Sequence, residues 1–184
     1  MMSGTEDTVQ WARPVSESPL NIAVFCVGNR LMMDDGIGPA VYDCVQTEWE
    51  LPANVHLFDV GCLTMDLVTA VNEYDVIITV DAVDGEDDEP GTVYRFTPDD
   101  MARREWGSMS LHDLKLADLF DMAALLGYSC EGLCLGMQVE NPSPSEFVMD
   151  LTPKVKEKLP FLVEVLMGEL ARLGCVLQRK ALDA

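Results

Sequence analysis

Basic residues are scarce in this chain. Lys and Arg number 12 against 32 Asp and Glu, a formal net charge of −20. A surface of that sign repels phosphate backbones and anionic lipid, so neither nucleic acid nor a membrane surface is an expected partner. No apolar run reaches the ~18–20 residues of a membrane span. The start of the chain lacks a basic flank followed by an apolar core, so no secretory signal is read there. Six cysteines are present, at 26, 44, 62, 130, 134 and 175, but no pair has C-x-x-C spacing and several lie in apolar runs. They read as reduced, buried thiols of a cytoplasmic protein, not as a disulfide framework. A G-x-G-x-x-G loop and a P-loop lysine are both missing, which argues against nucleotide binding. Internal repeats and low-complexity segments are absent as well.

What remains is a globular composition. Hydrophobic residues make up 48% of 184 residues, enough to bury a core without staples. Residues 1–19, polar and holding Pro14 and Pro19, read as a flexible lead-in, and 20–184 as a single α/β domain. The stretch from Val24 to Pro39 organises that domain. Val24 to Val27 are apolar without alternation, the pattern of a strand covered on both faces. A loop with Gly28, Gly36 and Gly38 follows, and Pro39 is expected at the first position of a helix. Between them lie two adjacent carboxylates, Asp34 and Asp35, beyond the carboxyl end of a central strand. In open α/β sheets that edge binds ligands. An Asp–Gly turn with a simple capping acid is the ordinary alternative.

The remaining pattern alternates strands and helices. Strands are expected at 21–27, 55–59, 75–81, 92–96 and 133–139, and helices at 38–49, 64–71, 110–126 and from Thr152 to Gly174. The connection before 92–96 is too short for a parallel crossover, so that strand is expected to be antiparallel or on an edge. The acidic stretch Asp84–Gly91 lacks EF-hand spacing and reads as a solvated loop. Residues 98–109, with Arg103, Arg104 and Trp106, form the main cationic spot in mid-chain. Pro160 predicts a kink or two abutting helices. Together these predict a three-layer α/β fold with a mostly parallel sheet. Right-handed crossovers then set the ends of the first and third strands side by side.

Under that architecture Asp35, Asp81 at the end of the third strand, and His112 in the first turn of a helix converge. A helix N-terminus favours neutral imidazole, the form that binds metals. Two carboxylates and an imidazole suit a divalent transition ion with open coordination positions. Each has an ordinary alternative: His112 as a polar surface residue, Asp81 as a turn cap with Asp84. His56 reads as a strand residue. Cys62 follows a strand at the same crest, but the only two histidines leave it few partners as a nucleophile.

The run Val27-Gly-Asn-Arg-Leu-Met-Met-Asp-Asp-Gly-Ile-Gly38 resembles the N-terminal signature of the hydrogenase maturation endopeptidases. The resemblance continues through Asp59-Val-Gly61, Val80-Asp81-Ala82, Pro90-Gly-Thr92 and Ser110-Leu-His-Asp-Leu-Lys-Leu-Ala-Asp118, and ends near Leu151-Thr-Pro153. It implies an α/β/α sandwich around a mostly parallel five-stranded sheet. It also implies an endopeptidase that trims the C-terminal extension of a nickel–iron hydrogenase large-subunit precursor. Asp35, Asp81 and His112 match the family's metal-contacting positions. The nickel would be carried by the substrate as a recognition element, although other divalent ions suit the same ligands. Nickel could orient the scissile bond, or Asp35 or Asp34 could activate a water in aspartyl-type chemistry; both remain open. Gly28, Asn29 and Gly61 are expected to contact substrate, and the protein to work as a monomer. A non-catalytic, nickel-dependent binding or chaperone protein for hydrogenase assembly is the alternative. The chain departs from the family pattern at Cys26, where Gly is usual, at Cys62 and Thr64 after the second strand, and in its longer lead-in.

Overall fold

The computed structural model describes residues 18–61, 67–85, 88–97, 100 and 119–181. The expected lead-in, Cys62, Thr64, the cationic spot at Arg103, Arg104 and Trp106, and His112 lie outside the described residues. Strand β1 (Ile22–Val27) is buried along its whole length. A single 3-10 turn, Met33–Gly36, leads into helix α1 (Ile37–Glu48). Then come β2 (Trp49–Glu50), β3 (Val55–Gly61), a short α2 (Val68–Val71), β4 (Val76–Val83) and β5 (Val93–Phe96). Helix α3 (residues 119–125), β6 (Glu131–Gln138), the long α4 (Pro153–Arg172) and β7 (Gln178–Arg179) complete the order.

The main sheet runs β3-β1-β4-β6-β5. All its pairings are parallel except β5 with β6, so the expected antiparallel edge strand is β5. Strand alternation sorts side chains into two cores. Ile22, Val24 and Cys26 join Val41 and Val45 of α1 and Leu162, Leu166 and Leu170 of α4. Ala23, Phe25 and Val27 join Val68 and Val71 of α2 and Leu119 and Ala123 of α3. Helices therefore cover both faces, which explains why β1 shows no polar alternation.

Several boundaries differ from the pattern reading. Asp81 lies inside β4, not at its end, because β6 continues alongside and pairs Asp81 with Gly136 and Val83 with Gln138. The second expected strand extends to Gly61, which pairs with Val27 across a register shift. Pro39 is the third residue of α1, not the first. It still sits in the first turn, where a backbone N–H has no intrahelical acceptor. Pro160 does not divide the last helix; α4 is a single helix of 20 residues. The proline lies on the exposed side, while Val155 and Leu162 bury the opposite stripe on either side of it. The β2–β7 ribbon escaped pattern reading because two residues per strand carry no periodicity. It is reinforced by Arg179, whose guanidinium lies 4.9 Å from the centre of the Trp49 ring.

β1 sits between β3 and β4, so the chain reverses its direction across the sheet at the β1–β4 seam. That is the topological switch point where α/β sheets open a crevice at their carboxyl ends. The start of α1 packs directly onto the seam. A Cβ on Gly38 would lie 2.0 Å from Val27 O and 2.7 Å from Val80 O. Those atoms are backbone in the central strands and cannot yield. Gly38→Ala is therefore expected to cost on the order of 3 kcal/mol or to prevent folding. Gly168→Ala, in the middle of α4 with open space around it, should instead stabilise by about 0.5–1 kcal/mol. Urea unfolding of the two variants checks the contrast; equal effects would contradict the close approach at the seam.

Candidate active site

The loop from Gly28 to Gly36 is built around its two acids, and the structure treats them differently. Asp34 has no solvent exposure. Its carboxylate accepts four hydrogen bonds: from Glu140 N at 3.1 Å, Asn141 N at 2.9 Å, Thr152 N at 2.7 Å and Thr152 Oγ1 at 2.9 Å. Asp34 N donates in return to Asn141 O at 3.3 Å. Thr152 occupies the N-cap of α4 as its sequence suggests, but its hydroxyl serves Asp34 and makes no cap bond to the helix. The Asp34 carboxylate thus clips the loop after β1 to the end of β6 and to the start of α4. Its acceptor capacity is filled by protein donors, and no water reaches it.

Asp35 faces the other way. It is 7% exposed, and its Oδ2 accepts Asn29 N at 2.9 Å. Its Oδ1 has no hydrogen-bond partner among the described residues. Its own N–H donates to Met32 O at 3.1 Å, closing the turn. Asn29 completes the loop with its Oδ1, which accepts Leu31 N at 3.0 Å. Gly28 has a φ of +131°, and a Cβ there would lie 1.8 Å from Asp35 O. No side chain fits between β1 and the acid. Gly28 N donates to Gly61 O at 2.9 Å, which joins the ends of β1 and β3. Gly61 has a φ of +58° and open space where a side chain would project. Gly28, Asn29, Gly61 and Asp35 are therefore one connected group at the crest of the sheet.

Asp81 stands on the neighbouring strand, one residue beyond the Cys26–Val80 pair, and is 3% exposed. Its Oδ1 accepts Ala82 N at 2.8 Å. By strand alternation it shares the face of Ile77 and Val83, the side covered by α2 and α3. Among the described residues no three His, Cys, Asp or Glu side chains form a group able to hold a metal ion. His112, the third expected ligand, lies outside them. His56 is an exposed member of β3, stacked beside Phe58 with ring centres 6.5 Å apart.

Pattern reading missed a bracket around this group. Arg30 donates to Asp43 of α1 (Nη2 to Oδ1, 3.0 Å) and to Asp59 of β3 (Nε to Oδ2, 2.9 Å). Its hydrogen bonds to Asp43 and then to Asp59 hold the guanidinium firmly protonated. The three side chains are 43%, 57% and 27% exposed, so each pair contributes only about 0–1 kcal/mol. The bracket's effect is geometric: it fixes the loop against two elements. The signal available in the sequence was a single cation beside the acid pair. Cys26 is fully enclosed, and burial first, then the Asp59 charge, pushes its thiol up to about 12. It is no nucleophile at neutral pH.

The family profile for hydrogenase maturation proteases (HycI) matches residues 39–169. The match spans Asp81 and His112 and begins after Asp34 and Asp35. The chain is similar to the hydrogenase expression/formation protein HupD of Thiocapsa roseopersicina, with 33% identity over 161 residues, 86% of this chain and 72% of that protein. It is also similar to the hydrogenase 2 maturation protease of Escherichia coli strain K12, with 27% identity over 84% of this chain and 93% of that one. Its fold matches the hydrogenase maturating endopeptidase HybD from E. coli with a TM-score of 0.77 and 25% identity, covering 88% of this chain and 98% of that one.

The two adjacent acids should separate in a stability measurement. Asp34→Asn leaves buried donors facing an amide and is expected to cost on the order of 3 kcal/mol. Asp35→Asn gives up one bond at a wetter position and should cost about 1 kcal/mol or less. Matching urea midpoints would remove Asp34 from its bracing role. With its thiol raised to about 12, Cys26 stays protonated across the neutral range. Iodoacetamide at pH 8 should leave it unlabelled in the native protein and label it once the protein is unfolded, as read by peptide mass.

Proposed function

The chain belongs to the hydrogenase maturation protease family, and from that premise we propose that this peptidase removes the C-terminal extension of a nickel–iron hydrogenase large-subunit precursor after nickel has been inserted. The observation that supports this most is the Asp35 group: a carboxylate only 7% exposed at the switch point of the sheet, with one oxygen unpartnered among the described residues, on a loop braced from behind. Such a position suits a general base with its surroundings preorganised.

In this proposal Asp35 accepts a proton from a water while the water oxygen attacks the scissile carbonyl carbon. The C–N bond then breaks, and the proton passes to the leaving amine. Asp34 braces the loop and takes no proton. Gly61 has open space where a side chain would project, which leaves room for a peptide backbone beside Gly28 and Asn29. Asp35, Asp81 and His112 recognise the nickel ion that the substrate brings. Three side chains read the ion while the substrate's own ligands keep it, so nickel marks a precursor ready for cutting. One chain acts on one precursor in the cytoplasm. The strongly acidic surface, −20 overall, favours a precursor with a basic contact region.

The test is intact-mass analysis of a large-subunit precursor co-expressed with this chain, with and without nickel in the medium. A C-terminal mass loss is expected only when the chain and nickel are both present. Asp35→Asn should slow that loss by roughly a hundred-fold or more, and Asp81→Asn and His112→Ala should weaken its dependence on nickel. A stable complex without mass loss would replace catalysis with an escort role. Unimpaired processing by Asp35→Asn would remove this residue from the chemistry.

A further inference from the structure

Beside the candidate site the chain exposes apolar side chains that its own fold does not use. Met32 and Val148 form an isolated parallel bridge. Met33 N donates to Val148 O at 2.7 Å, and Val148 N donates to Leu31 O at 2.9 Å. The bridge therefore brings the Leu31 backbone alongside the segment that carries Phe147, the residue before Val148. Leu31 is 42% exposed, Phe147 79% and Met149 78%. Clustered large apolar groups on a surface mark interaction sites more often than single ones do. Phe161 and Val176, exposed elsewhere, do not share such a bridge.

We propose that Leu31, Phe147 and Met149 form a preformed platform that docks the folded body of the large-subunit precursor, through an apolar patch on the precursor ringed by basic residues. This rests on the processing function proposed above. Three observations point to that occupant. The platform is continuous with the site, since Asp35 N bonds Met32 O within the same loop. Its second segment is held at both ends by Asp34, through Glu140 and Asn141 on one side and Thr152 on the other. Docking therefore orders little that was free, which lowers the entropic cost of association. The exposed Glu146 precedes Phe147 on the same segment, while Asp150 after Met149 is paired with Lys156 at 2.8 Å; in a chain of net charge −20 the uncompensated charge at the platform is the acidic Glu146, so the complementary rim is basic. A tail peptide carries no nickel. A protease that reads the loaded state must grip the body that holds the ion, and a rigid apolar platform next to the acids meets that need.

The experiment is processing kinetics on the nickel-loaded precursor that the wild-type chain cleaves, with binding measured separately on the same precursor. The variants are Phe147→Asp/Met149→Asp, Phe147→Ser/Met149→Ser, and Phe161→Asp as a surface control on α4. Both double variants should raise the half-saturating precursor concentration roughly ten-fold or more while leaving kcat within about two-fold. Their melting temperatures should match the wild type, because both side chains are mostly in solvent. Phe161→Asp should change neither parameter. Unchanged half-saturation in the double variants, or an equal loss in Phe161→Asp, overturns the platform. A loss confined to kcat does so as well. The underlying function fails separately: a nickel-loaded precursor that keeps its full mass with the wild-type chain would sink the peptidase chemistry whatever the double variants do. Loss in Asp35→Asn with wild-type behaviour of the double variants would sink the platform alone.

Discussion

A buried carboxylate with four donors around it sets the shape of this molecule's working end. Asp34 joins segments 106 to 118 residues apart in sequence. Bonds to an ionised acceptor are the strong ones, and in the interior they offset the cost of taking the charge out of water. The loop after β1, the end of β6 and the start of α4 each hold donors or acceptors that are satisfied only in this arrangement. Remove the carboxylate and three elements lose their common reference point.

That hub explains how two neighbouring acids come to differ. Consecutive residues of a tight turn project in different directions. The 3-10 turn carrying Asp34 and Asp35 sends the first into the protein and the second toward the crest of the β1–β4 seam. Gly38 lets α1 approach the two central strands, and Gly28 lets the Asp35 backbone lie against the end of β1. The crest of the seam is thus made by close backbone contacts, which are stiff. Arg30 then fastens the same loop to α1 and β3 from the solvent side. A group held by stiff contacts on one side and a charged bracket on the other keeps its geometry without a ligand, the condition for preorganised chemistry.

The surface carries a second consequence of the same construction. A loop braced at both ends can hold large apolar side chains in water without collapsing onto the core. Phe147 and Met149 stay out because the segment between Asn141 and Thr152 is tethered to Asp34 and to the Leu31–Met33 backbone. The catalytic candidate and the exposed platform therefore depend on one interaction, and they cannot be repositioned independently.

Much of the fold was legible in the residues. The unbroken apolar run of β1, the β-branched run of β4, the short connection before β5 and the stripe along α4 are local patterns, and each predicts its element from neighbours a few residues apart. The acid pair was legible as a candidate because glycines and the end of β1 accompany it, and Asp81 because it follows the β-branched run of β4, although the strand continues past it. The end of β4, the continuity of α4 through Pro160 and the β2–β7 ribbon were not, because the partners that decide them lie far along the chain. By itself the sequence determined a parallel α/β sheet, acids at its carboxyl edge and a family signature. Only the tertiary structure decided that Asp34 is a brace and Asp35 the acid with an oxygen left open among the described residues. Adjacent residues of the same type have the same local signal, and what separates them is which distant backbone donors reach each carboxylate.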